Sequence, residues 1–157
     1  MLRIDCRLMI DDCRFGGIGE MDDSELKVRT KRFALRVMKL VAALPQDAVG
    51  RPIGNQLIRS ATSVAANYRA ACRGRSKAEF ASKLSIVIEE ADESCYWLEL
   101  IIDGELLPKE KVEPLLDEAN QLTAIMVASR KTATENQQAN RPILNLQSSI
   151  FNPKCLT

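Results

Sequence analysis

Between Asp22 and Lys131 the chain repeats apolar side chains at intervals of three and four, and it does so in four separate stretches. The first stripe is Leu26, Phe33, Val37, Leu40, Val41 and Leu44, halted by "LPQDAVG" with Pro45 and Gly50. The second opens at Pro52, a residue tolerated in a first helical turn, and carries Ile53, Leu57, Ala61, Val64, Tyr68 and Ala71 toward Gly74. Phe80, Leu84, Val87, Ile88, Ala91, Cys95, Leu98 and Ile102 make the third, which stops at Gly104. Val112, Leu115, Leu116, Ala119, Leu122, Ile125, Met126 and Ser129 make the fourth, which follows Pro108 and fades in "RKTATENQQ". Such spacing puts the apolar groups on one helical face, so helices are expected over about 24–44, 52–73, 76–103 and 108–132. Short connections between them predict an antiparallel, up-down-up-down four-helix bundle.

Helix ends are marked by their own chemistry. Asp22 with Glu25 can form a capping box, Ser24 is an alternative cap, and Ser76 with Glu79 is an S-x-x-E box directly after Gly74. Ala61, Ala65, Ala66, Ala70 and Ala71 let the second helix approach its neighbours closely.

Composition sharpens the class. Aromatic residues make up 4% of the 157-residue chain and no run rich in Val, Thr and Tyr occurs, which favours an all-α domain with one core. The domain is expected over 22–133, with a non-core extension at 1–21 and a flexible tail at 134–157. "GGIGE" just ahead of Met21 can be encoded by purine-rich codons resembling a ribosome-binding site, so natural translation is expected to start at Met21. No uncharged apolar run nears the ~20 residues that cross a bilayer, and charges interrupt the first fifteen residues, so a cytoplasmic protein without membrane partners is expected. Five cysteines without a C-x-x-C pair signal neither a disulfide framework nor a zinc knuckle, and Cys72 and Cys95 read as packing residues. The lack of histidine removes Ser-His-Asp and Cys-His catalysis and His-ligated metal. No enzyme activity, cofactor or metal is expected.

Charge is polarised although the net value is only +1. Thirteen basic residues stand against two acidic ones from Leu26 to Lys83, and eleven acidic against two basic from Leu84 to Glu118. Such halves can pair within a bundle, pair between subunits, or leave a basic face for polyanions.

The segment "QLIRSATSVAANYRAACRGRSKAEFASKLSIVIEEADESCYWLEL", Gln56 to Leu100, resembles the four-helix-bundle family encoded in intervening sequences of bacterial large-subunit ribosomal RNA genes. Its carrying parts are "SATSVAANYRAA", "RSKAEF", "KLSIVIEEADE" and "YWLEL", within a match over roughly 24–130. The resemblance implies antiparallel bundles that assemble as homopentameric rings. It also implies kinship with the accessory variability determinant of diversity-generating retroelements, a basic pentamer that binds nucleic acid and a reverse transcriptase. The matching positions are Asn67, Arg69, Arg73, Arg75, Ser76, Glu79, Phe80, Glu90, Glu93, Tyr96, Trp97 and Glu99. The first twenty residues and the long tail depart from the family pattern.

Candidate phosphate contacts are Arg69, Arg73, Arg75, Lys77 and Lys83, joined across the bundle by Arg29, Lys31, Arg32 and Arg36, because guanidinium and ammonium groups along one face bind RNA or DNA backbone. The same turn has a structural explanation, since cations complement a helix C-terminus and Gly74 and Ser76 are ordinary cap residues. Without interleaved aromatics, base readout is not expected. Tyr96, Trp97, Ile101, Glu90 and Glu93 are the candidate oligomer interface, with the acidic third helix facing basic helices of a neighbour. Two alternatives stay open. One is a purely structural oligomer; the other is a magnesium-dependent all-α nucleotide pyrophosphatase built on "EEADE", which lacks the later E-x-x-D partner because Glu99 and Asp103 are one residue too far apart.

N-terminal mass spectrometry of natively expressed protein is expected to find Met21 as the first residue; a mature chain beginning at Met1 or Leu2 would overturn that start.

Overall fold

The computed structural model describes residues 23–139, with side chains through Glu135. Four α-helices and no strand occur among the described residues: α1 (Asp23–Val41), α2 (Gly50–Ala71), α3 (Lys77–Asp103) and α4 (Lys109–Ala139). The fold is all-α. The expected Asp22 cap, the extension at 1–21, the start at Met21 and the tail beyond 139 lie outside the described residues.

Three helix ends differ in detail from the sequence expectation: the starts of α1 and α2 and the end of α4. Pro52 is not the first residue of α2, because Asp47 starts the helix earlier by accepting from the amides of Val49 at 2.9 Å and Gly50 at 2.8 Å. Those two bonds favour the ionised carboxylate and hold Asp47 below its ordinary pKa. Ser24 lies inside α1 and so does not cap it. At the end of α3 the left-handed residue is Glu105, at φ 52°, not Gly104. There the Leu106 amide donates to the Ile101 carbonyl and the Glu105 amide to that of Ile102, both at 3.0 Å, which closes the helix with a Schellman turn. α4 runs past the expected fade near 132 to Ala139.

Each helix packs on the next in sequence, and α1 closes the bundle against α4 by a slimmer contact. Side-chain pairs show the directions. Ser85 meets Arg130 while Cys95 meets Asn120, so α4 descends as α3 rises; Arg29 meets Glu118 and Arg36 meets Pro114, so α1 also opposes α4. The topology is therefore up-down-up-down, with the α2–α3 turn at the same end as the start of α1 and the end of α4.

Leu26, Phe33, Val37, Leu57, Val64, Tyr68, Leu84, Leu98, Ile101, Leu122 and Met126 are fully buried between the helices. A single such side chain contributes roughly 1.5–3 kcal/mol by leaving water. The buried hydroxyls of Thr30, Ser60 and Ser94 are matched. Thr30 donates to the Leu26 carbonyl at 3.0 Å, and Ser94 on α3 donates to Ser60 on α2 at 2.9 Å, while Ser60 donates to the Leu57 carbonyl at 3.3 Å. Burial pushes the Cys95 thiol up to about 11, so it stays protonated and packs as a small apolar group.

Gly54 in the interior of α2 marks close approach to α1. A Cβ there would stand 2.7 Å from Val41 Cγ1 and 3.3 Å from Leu44 Cδ1. Replacing a helical glycine by alanine ordinarily gains ~0.5–1 kcal/mol. Here the clash dominates, so Gly54→Ala is expected to lower unfolding stability by about 1–2 kcal/mol, in the usual range for overpacking, as read by chemical denaturation. A gain in stability would show that α1 and α2 do not meet this closely.

Candidate nucleic-acid interface

The turn between α2 and α3 is built by its backbone. The amides of Cys72, Arg73 and Gly74 donate to the carbonyls of Tyr68, Ala70 and Ala71 at 3.1, 3.1 and 2.8 Å, which winds up the end of α2. A Cβ on Gly74 would lie 3.0 Å from the Ala71 carbonyl oxygen and 3.3 Å from the Phe80 nitrogen, so the close return of the chain explains the glycine. Ser76 is extended, and its Oγ accepts from the Glu79 amide at 3.1 Å. Glu79 reaches back to accept from the Arg75 amide at 2.9 Å, one residue before the cap itself. The S-x-x-E box therefore exists, and Glu79 is occupied with backbone and with Lys83, 4.0 Å away.

With the turn held this way, Arg69, Arg73 and Arg75 are exposed and Lys77 is part-buried at the first position of α3. None of these four has a carboxylate partner among the described residues. Arg69 lies in the last turn of α2, where it also complements the carbonyl end of the helix.

The other candidate cations are divided by the fold. Arg29 is committed to α4: its Nε donates to Glu118 Oε1 at 2.8 Å, and its Nη2 to Gln121 Oε1 at 2.7 Å. Arg36 extends to the Pro114 carbonyl at 3.5 Å. Lys31 and Arg32 are exposed on α1 without a carboxylate partner among the described residues. Lys83 is shared with Glu79, as above.

The face of α2 and α3 pairs the acidic stretch with a basic helix of the same chain, through an arginine that was not among the candidate cations. Arg59 binds both Glu90, at 3.3 Å, and Glu93, and Trp97 Nε1 donates to Glu93 Oε1 at 3.0 Å. Tyr96, 52% exposed, stands edge-on to Trp97 with ring centroids 5.1 Å apart. Glu90 and Glu93 thus meet a basic helix of their own chain. Ile101 faces the bundle's own core and is fully buried, so its side chain is not presented to a neighbouring subunit. A signal for the clamp was present in the sequence: α2 contains no acidic residue, so a carboxylate for Arg59 could come only from outside that helix, and Glu90 and Glu93 are spaced i,i+3 on one face of α3.

Among the described residues no three Cys, Asp or Glu side chains are grouped to hold a metal ion. With Glu90 and Glu93 drawn to Arg59 and Glu89 exposed, "EEADE" is a clamp and a solvated edge in this geometry. No described helix is long and apolar enough to cross a membrane.

The family model of the 23S rRNA-intervening sequence protein matches residues 22–128. The chain belongs to that family. A solved structure similar to it is a protein of unknown function from the S23 ribosomal protein family of Bacteroides thetaiotaomicron VPI-5482, 32% identical, with a TM-score of 0.63. The alignment covers 69% of this chain and 97% of the other. No curated protein matches the chain. The family resemblance carried by "RSKAEF" and "YWLEL" thus has a structural counterpart, since the first is the α2–α3 turn and the second holds Trp97 of the clamp.

Trp97 is the sole tryptophan and reports on Glu93 directly. Arg59 first, and the Trp97 indole second, hold the Glu93 carboxyl below its ordinary 4.5. A depressed folded-state value means the stabilisation is complete above the unfolded value and is lost as pH falls through the folded one. An acid titration of tryptophan fluorescence is expected to show a transition centred below 4.5 that is absent in Glu93→Gln; an identical transition in that variant would mean the indole senses another group.

Proposed function

We propose that this protein is a non-enzymatic, homo-oligomeric accessory module that holds nucleic acid by its phosphate backbone, presenting it to a larger partner such as a reverse transcriptase. The observation that carries this function is the set Arg69, Arg73, Arg75 and Lys77, four cations gathered at one turn with no carboxylate partner among the described residues. Two arginines elsewhere on the bundle, Arg29 and Arg59, meet carboxylates. An uncompensated cluster on a rigid turn keeps its field for an external anion, and planar guanidinium groups suit phosphate. Lys31 and Arg32 add exposed charge on α1. No aromatic side chain occurs in the turn from Arg69 to Lys77, so contacts there are to backbone and not to stacked bases.

Self-association has separate support. Val28, Leu35 and Met38 are exposed along α1, and the Tyr96–Trp97 pair forms a half-exposed aromatic edge beside the Arg59 clamp. Trp, Tyr and Arg are the residue types that most often anchor interfaces. A ring repeats the small basic corner and so multiplies weak backbone contacts. These apolar surfaces also favour the second function, a purely structural oligomer.

Fluorescence anisotropy with a labelled structured RNA, over a series of salt concentrations, tests the proposal. The protein is expected to bind, with an affinity that falls steeply as salt rises. Replacing Arg73, Arg75 and Lys77 by alanine is expected to flatten the dependence of log K on log salt by ~0.9 for each phosphate contact removed. Light scattering on the same samples is expected to give a pentamer for both proteins. An oligomer that does not bind, or a triple variant that binds with an unchanged slope, would leave the structural function standing in its place.

A further inference from the structure

Arg130 and Lys131 on α4, which belong to no basic run in the sequence, are carried by the antiparallel packing to the α3 face at the same end as the basic turn. Arg130 Nη1 donates to Ser85 Oγ at 3.1 Å across the seam between the helices. An open cleft of about 430 Å³ lies there, lined by Ser82, Ser85, Val127, Arg130, Lys131 and Thr134, and no acidic side chain lines it. Arg130 differs from Arg29 and Arg59 in that it meets a neutral hydroxyl and no carboxylate among the described residues, so the rest of its planar fork has donors to offer. Lys131 has Glu135 at 3.9 Å, but the two side chains are 74% and 62% exposed, and a pair so solvated yields readily to a phosphate.

The cleft adjoins the turn along α3. Lys77, Ala81 and Ser85 follow one another at intervals of four, which places them along one edge of the helix over ~12 Å. Ala81 and Ser85 line the cleft, and Lys77 stands one turn beyond it, next to Arg75. We infer that the α3–α4 cleft continues the basic turn as a track for a phosphodiester backbone, with Arg130 and Lys131 as phosphate contacts and the Ser82 and Thr134 hydroxyls beside them. This rests on the function proposed above for the turn. It adds a second element of the bundle, α4, to the surface, and gives the surface a direction along the α3–α4 seam.

The test uses the full chain with duplex RNA and duplex DNA of one sequence in separate arms, since both offer the same backbone. In Arg130→Ala/Lys131→Ala the affinity at low salt is expected to fall several-fold and the salt slope to drop by ~2, following ~0.9 for each lost contact. Ser82→Glu, at an exposed position, puts a negative charge into the cleft and is expected to weaken binding without changing the thermal unfolding midpoint. Loss in either arm supports the track and identifies the nucleic acid that uses it. Unchanged binding of both variants in both arms, while Arg73/Arg75/Lys77→Ala still weakens it, would overturn the track and leave the turn as the binding site. Absence of binding by the unaltered protein in both arms would overturn the track together with the function it rests on.

Discussion

The hydrogen bond between Ser94 and Ser60 marks the register of α3 on α2, and the distribution of charge over the whole surface follows from that register. Both hydroxyls are fully buried, and each also has a carbonyl of its own helix in reach, Leu57 for Ser60 and Glu90 for Ser94, so the bond between them marks the register without leaving a polar group to be orphaned. Ala61 and Ala91, fully buried in the same core, are small enough to let the two helices come near. In this register Arg59 stands opposite Glu90 and Glu93, and the turn at Gly74 and Ser76 closes with its own hydrogen bonds satisfied. Arg69, Arg73 and Arg75 lie past the reach of the acidic stretch of α3.

A net charge of +1 therefore says little about what the surface can bind. The fold spends part of its positive charge internally. Arg29 ties α1 to Glu118 of α4 along the slimmer side of the bundle, and Arg59 ties α2 to α3. The Arg29 pair is part-buried, whereas Arg59 is 49% exposed and its link orients helices more than it stabilises them. Uncompensated cations include a group at the end where α2 turns into α3 and where the last third of α4 passes, while Lys39, Arg51 and Lys111 stand toward the other end. Asp103, Glu105, Glu110 and Glu113 stand around the α3–α4 connection, with Lys109 and Lys111 among them.

The acidic stretch shows why a motif needs its neighbours. E-E-x-x-E on a helix fits a magnesium site when further carboxylates face it, and it fits an arginine clamp when a guanidinium does. Arg59 faces it here, and Trp97 donates to the same Glu93 oxygen. The clamp also holds the Tyr96–Trp97 edge in place, joining a charge network to an aromatic surface.

Helix number, class and core were legible in the chain because apolar residues at three- and four-residue spacing can be buried together only as helices, and because Ser76 and Glu79 are close enough in sequence to meet whatever the rest does. The exposed turn of Arg69, Arg73, Arg75 and Lys77 was legible for the same reason of locality. The start of α2 was misplaced because Asp47, in a loop, supplies its first hydrogen bonds, and Ile101 was assigned outward because a stripe read from one helix does not show how wide a face two neighbours will cover. Local order of residues thus determined the elements, their caps and the basic turn. Only the tertiary packing decided which charges cancel, since pairing depends on residues such as Arg59 with Glu93, Arg29 with Glu118 and Arg130 with Ser85, which are far apart along the chain and meet only when four helices settle into one antiparallel register.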